Sequence, residues 1–178
     1  MASICVFCAS SRTLDARWTD LAREVGAELA RRGHVLVSGG GRVGMMGTVA
    51  AGARSAGGHT IGVIPQSLVD REIADTEAGE LIVTDGMASR KNALIEKSDA
   101  FLVLPGGIGT LDELFEVWTT AWLGVHDKPF VILDADGFYT GLVDWLTKGI
   151  PAGFIQPKAL SQLRVATSVL EALAALPR

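Results

Sequence analysis

The chain has 178 residues, 48% of them hydrophobic, which suits a single domain over 1–178 with its own buried core. Its 16 basic and 20 acidic side chains leave a formal charge of -4 with no long run of either sign, arguing against nucleic acid as a partner. The longest apolar runs fall far short of the roughly 20 residues that span a bilayer, and the opening MASICVFCASSR lacks a signal peptide's charged start and cleavage site, so a cytoplasmic protein without a membrane partner is expected.

The first strand is expected over Ile4–Cys8, an apolar run containing the chain's two cysteines, Cys5 and Cys8. Two ligands so close on a strand cannot form a structural zinc site, and no metal is expected. A C-x-x-C redox pair belongs after a strand, at a helix start. Here Val6 and Phe7 continue the strand, and both thiols read as core packing. Trp18, Leu21, Ala22, Val25 and Leu29 then recur at helical spacing, with Gly33 as the stop. With a second strand over Val35–Val37 this makes a β-α-β unit.

Further strands are expected over Ile61–Ile64, Leu81–Val83, Phe101–Leu104 and Phe130–Leu133. Helices are expected over Met45–Ser55, Ala88–Lys97, Thr110–Leu123, Phe138–Leu146 and Ser161–Leu176, with a long polar loop over Pro65–Gly79. Near-continuous apolar strands alternating with amphipathic helices point to an α/β protein: a Rossmann-like, doubly wound, mainly parallel sheet flanked by helices. His34, His59 and His126 follow no ligand spacing and read as surface or turn residues. Met45 and Met46 read as core filler, although their place beside glycine also suits an adenine pocket. Trp118 and Trp122, four apart on one helix, are expected to pack inward or against a second subunit.

Two glycine-rich turns follow expected strands, SGGGRVGMMG at Ser38–Gly47 and PGGIGT at Pro105–Thr110. Glycine lets backbone N–H groups approach a phosphate closely, and the helix that follows adds unpaired donors and the positive end of its dipole. Neither turn carries the Gly-Lys-Ser/Thr ending of a P-loop, and each taken alone also reads as a tight strand-to-helix connection. Thr110-x-x-Glu113 has a structural reading too, as a capping box with threonine at the N-cap. Arg90 and Lys91 sit at a helix start, where cations oppose the dipole unless an anion lies nearby.

The surroundings of the second turn carry more information. M-A-S-R-K at Met87–Lys91, followed by P-G-G-I-G-T-L-D-E at Pro105–Glu113, closely resembles the signature of the LONELY GUY (LOG) family, and GGGRVGMMG resembles that family's upstream turn. The resemblance extends from CVFCASS to GVHDKP at Gly124–Pro129 and is weakest after Gly153. It implies hydrolysis of a cytokinin-type nucleoside 5′-monophosphate to free base and ribose 5-phosphate, without a cofactor, in a homodimer. The catalytic pair it implies is Arg90 and Glu113. The phosphate loop falls on Gly106, Gly107, Gly109 and Thr110, with further substrate contacts at Glu72, Lys91 and Thr119, and Ser10, Ser38, Gly40 and Gly41 completing the pocket.

Two rival readings use the same residues. A pyridoxal-phosphate lysine decarboxylase would take Lys91 for its Schiff base, but nothing here reads as a frame to cradle the ring and pair its nitrogen. A non-catalytic carrier of a nucleotide or of molybdenum cofactor is the alternative, since similar folds with a P-G-G turn serve that role.

Overall fold

The apolar runs pair into one seven-stranded sheet of order β4-β3-β2-β1-β5-β6-β7 in a computed structural model that describes residues 1–71 and 73–177. The strands are β1 (Ser3–Phe7), β2 (Val35–Ser38), β3 (Thr60–Pro65), β4 (Glu80–Thr84), β5 (Ala100–Val103), β6 (Phe130–Leu133) and β7 (Arg164–Ala166), every adjacent pair parallel. Helices α1 (Ala16–Arg31), α2 (Gly44–Ser55), α3 (Gln66–Val69), α4 (Met87–Glu96), α5 (Ile108–Trp122), α6 (Thr140–Lys148), α7 (Pro157–Leu160) and α8 (Val169–Ala174) join them. This is the doubly wound α/β architecture expected from the alternating pattern. The strand order reverses between β1 and β5, and open parallel sheets bind ligands at the carboxyl ends of strands beside that reversal.

Two apolar layers cover the sheet. Ile4 and Val6 of β1 face one layer with Val25, Leu29 and Val49, while Cys5 and Phe7 face the other with Phe101, Leu114 and Trp118. Cys8 falls in the first layer and Cys5 in the second, so the two free, buried thiols stand on opposite faces and serve as packing. The helices α1 and α2 pack backbone to backbone, because a Cβ on Gly26 would stand 2.0 Å from the Val49 carbonyl oxygen.

Several expectations are corrected. The helix expected over Ser161–Leu176 is instead an edge strand, β7, followed by the short α8. The long loop expected over Pro65–Gly79 contains α3, and an antiparallel bridge between Gly41 and Ala74 ties its later part to the first glycine turn. Thr110 is no N-cap. Helix α5 is capped at Gly107, placing Thr110 inside the first turn and ruling out the capping box. His34 is buried rather than at the surface, its Nδ1 accepting the Ala2 N–H at 3.4 Å, and half-buried His126 accepts the Lys128 N–H at 3.2 Å. Among the described residues no helix is long and apolar enough to cross a membrane.

Candidate active site

At the carboxyl edge of the sheet, a cleft of about 480 Å³ opens between the loop after β1 and the start of α5, on the two sides of the strand-order reversal. Arg90 reaches it from α4 and Glu113 from α5. The Arg90 Nη1 donates to Glu113 Oε1 at 2.8 Å, with the two residues only 5% and 8% exposed. The Arg90 Nε donates to the Val63 carbonyl at 3.1 Å, so the guanidinium is held against β3. Burial raises the Glu113 carboxyl above its ordinary value, and the neighbouring guanidinium only partly opposes that shift.

The glycine turns contribute in different ways. A Cβ on Gly39 would stand 2.0 Å from the Arg90 Nη2, so the absence of a side chain at Gly39 is what lets the guanidinium lie there. That residue is missing from the sequence-based site, where the turn reads as a phosphate cradle rather than as a seat for arginine. Around α5, Gly106 is crowded by the Thr110 side chain, whereas a Cβ on Gly107 or Gly109 would meet nothing within 4 Å. Packing within the chain therefore does not demand glycine at Gly107 or Gly109, although the cleft opens at both.

Of the other expected site residues, Ser10, Gly107, Gly109 and Thr110 line the cleft beside Arg90 and Glu113. Ser38, Gly40 and Gly41 do not line it: the Ser38 hydroxyl accepts the Gly40 N–H at 3.3 Å, and the Gly41 N–H donates to Met46 Sδ at 3.2 Å. Lys91 does not line the cleft; it pairs with Glu116 at 2.8 Å and, at 3.4 Å, with Asp112, which does. The carboxylates beside these two cations are thus the protein's own. Thr119 is exposed farther along α5, and Glu72 lies outside the described residues. Five apolar side chains that the site reading left out, Cys8, Ala9, Leu68, Met87 and Ile108, also line the cleft, together with Met46. They come from the loop after β1 and from α3, α4 and α5; Met46 and Ile108 stand within the glycine motifs, but those motifs by themselves give an apolar side chain no role.

Together, the fold and the site define a doubly wound α/β protein with a buried arginine–glutamate pair in a cleft at the strand-order reversal. The family model described as "Possible lysine decarboxylase" matches residues 46–176. The chain is 52% identical to the cytokinin riboside 5′-monophosphate phosphoribohydrolase of Mycobacterium tuberculosis over 97% of this chain and 92% of that protein. Identity to the enzyme of the same name from Mycobacterium marinum is 46% over the same shares. Among solved structures, the molybdenum cofactor carrier protein of Chlamydomonas reinhardtii superposes with a TM-score of 0.72 at 28% identity, covering 98% of this chain and 94% of that one. The chain belongs to the LONELY GUY family, whose members are also described as possible lysine decarboxylases.

Proposed function

We propose that this protein hydrolyses the N-glycosidic bond of cytokinin-type purine nucleoside 5′-monophosphates, releasing the free base and ribose 5-phosphate. The observation that carries the reading is the buried Arg90–Glu113 pair, which opens on a cleft beside a glycine loop with room for a ligand. The names of the relatives at 52% and 46% identity support it.

In the proposed reaction the bond from C1′ of the ribose to the base nitrogen breaks, and a bond from C1′ to the oxygen of water forms. One water proton goes to the departing base. Positive charge builds on the ribose as the bond lengthens, and the Glu113 carboxylate stabilises it and takes the proton of the attacking water. Burial makes that carboxylate a stronger base than an exposed one, while Arg90 keeps it ionised and places it. Gly107, Gly109 and Thr110, at the positive end of α5, hold the 5′-phosphate. The apolar walls formed by Met46, Leu68, Met87 and Ile108 suit a base bearing an apolar substituent. We also propose that two copies pair through exposed apolar side chains near the end of α5.

The test is to incubate the protein with AMP and with isopentenyladenosine monophosphate, together and apart, and to separate the products. Free base from either supports the hydrolase. Intact nucleotide that remains bound supports the carrier reading instead and overturns this one.

A further inference from the structure

A second groove, of about 550 Å³, adjoins the reaction cleft, and Ser11 lines both. Arg12 from the loop after β1, Arg23 from α1 and Arg42 from the turn before α2 all reach it. In a chain of net charge -4, no carboxylate is among the described residues lining this groove. Arg12 and Arg23 hold no ion pair among the described residues. The walls are fixed, because α1 and α2 meet backbone to backbone at Gly26 and again at Gly52, where a Cβ would stand 2.3 Å from the Arg23 carbonyl oxygen. The floor includes Val43 and Gly44 at the start of α2, a helix end with no side-chain cap.

We propose that this groove is a second anion site, separate from the reaction cleft, for a ligand carrying two linked phosphate groups. Guanidinium groups suit phosphate because their planar forks bind two oxygens at once. One phosphate brings about -1.5 to -2 charges at neutral pH, too little to balance three guanidiniums, whereas two linked groups bring enough. The Thr19 and Thr48 hydroxyls on those walls already donate to the Ala16 and Gly44 carbonyls, leaving recognition to the arginines.

The experiment is calorimetric titration of the full chain with inorganic pyrophosphate at low ionic strength. The expected result is a saturable site that is weakened at least tenfold in the double variant Arg23→Gln and Arg42→Gln, and unchanged in Gly109→Ala, which alters the phosphate turn of the reaction cleft. All three groove arginines are exposed, so the double variant should keep the wild-type melting temperature. Added salt should weaken the binding, as it does for exposed charges. Titration with ADP separates the two sources of a diphosphate. Equal affinity for ADP and pyrophosphate assigns recognition to the phosphates alone, and a tighter, arginine-dependent ADP site assigns it to a nucleotide. The proposal is overturned by no saturable pyrophosphate binding, by binding that survives the double variant, by loss of binding in Gly109→Ala, or by orthophosphate binding as tightly as pyrophosphate.

Discussion

Arg90 Nη1 and Glu113 Oε1 lie 2.8 Å apart in a wall of the cleft, joining α4 to α5 across the end of the sheet. Each residue alone would be a buried charge without a partner, and removing one partner of such a pair costs about 3–5 kcal/mol unless the other is neutralised. The substitution used to probe catalysis therefore has to keep the contact. Glu113→Gln keeps its shape and can still accept from Arg90, so it should melt within a few degrees of wild type while kcat/KM for the nucleotide falls at least a hundredfold. Arg90→Ala should lose activity and also melt lower. Near-full activity in Glu113→Gln would remove the carboxylate from the mechanism.

The pH dependence follows from the direction of the Glu113 shift. Its carboxyl is raised above the ordinary 4.5, chiefly by burial, so the folded protein holds that proton more tightly than the unfolded chain does. The associated stability is present below 4.5 and is lost as pH rises through the folded value. Activity moves the other way, because the proposed base must be ionised. The acid limb of kcat/KM should accordingly fall at a pH above 4.5, and its inflection should disappear in Glu113→Gln. An acid limb at or below 4.5 in the wild type would contradict this assignment.

Much of this fold could be read from the sequence because the inner strands are short, continuous apolar runs buried on both faces, as at Phe101–Leu104 and Phe130–Leu133. The edge strand β7 lacks that mark. In Arg164-Val165-Ala166 only the last residue is buried, and the apolar residues around it continue at a spacing that mimics one long helix. The family resemblance brings out the residue types of the site, Arg90 and Glu113 among them, but not their contact. The pair is 23 positions apart, and its meeting depends on how α4 and α5 seat against β3 and β5. Gly39 was hidden for the same reason, since its lack of a side chain matters only once a guanidinium from another element lies against it.

Two glycine substitutions should therefore behave in opposite ways. In Gly109→Ala the added methyl meets nothing within 4 Å and lies in the first turn of a helix, so the melting temperature should hold or rise, by about 0.4–1 kcal/mol in stability. If the 5′-phosphate occupies that space, KM should nevertheless rise at least tenfold. In Gly39→Ala the methyl must push aside the Arg90 Nη2, which would otherwise stand 2.0 Å away. The fold should survive because a side-chain end can move, and kcat should fall. Wild-type kinetics in both variants would separate these turns from the chemistry.

The pairing of two copies rests on what α5 leaves uncovered. Trp118 is buried and donates to the Ala159 carbonyl at 3.0 Å, so it packs inward and adds nothing to an interface. Trp122 and Leu123 are 40% and 70% exposed at the end of the same helix. Light scattering at micromolar concentration should give the mass of a dimer, and Leu123→Glu should shift it toward the monomer. A monomer mass for the wild type would refute the pairing.

The 5′-phosphate itself should be required for turnover, although it lies far from the bond that breaks. Gly107, Gly109 and Thr110 sit in or beside the first turn of α5, and Glu113 follows on the same helix and lines the same cleft. A phosphate held at that turn fixes the ribose relative to the carboxylate, because one rigid helix carries both contacts. Binding energy from the non-reacting end is then used to orient C1′, so its loss should lower kcat as well as raise KM. Hydrogen bonds to a charged group are each worth about 1.5–3 kcal/mol. Two or more acting together predict a loss in kcat/KM of at least about a hundredfold for the nucleoside relative to its monophosphate. The measurement is a side-by-side rate comparison of isopentenyladenosine and its 5′-monophosphate, following release of the base. Equal rates would mean that Pro105–Thr110 is only a connection between strand and helix, and that the substrate reaches Glu113 by other contacts.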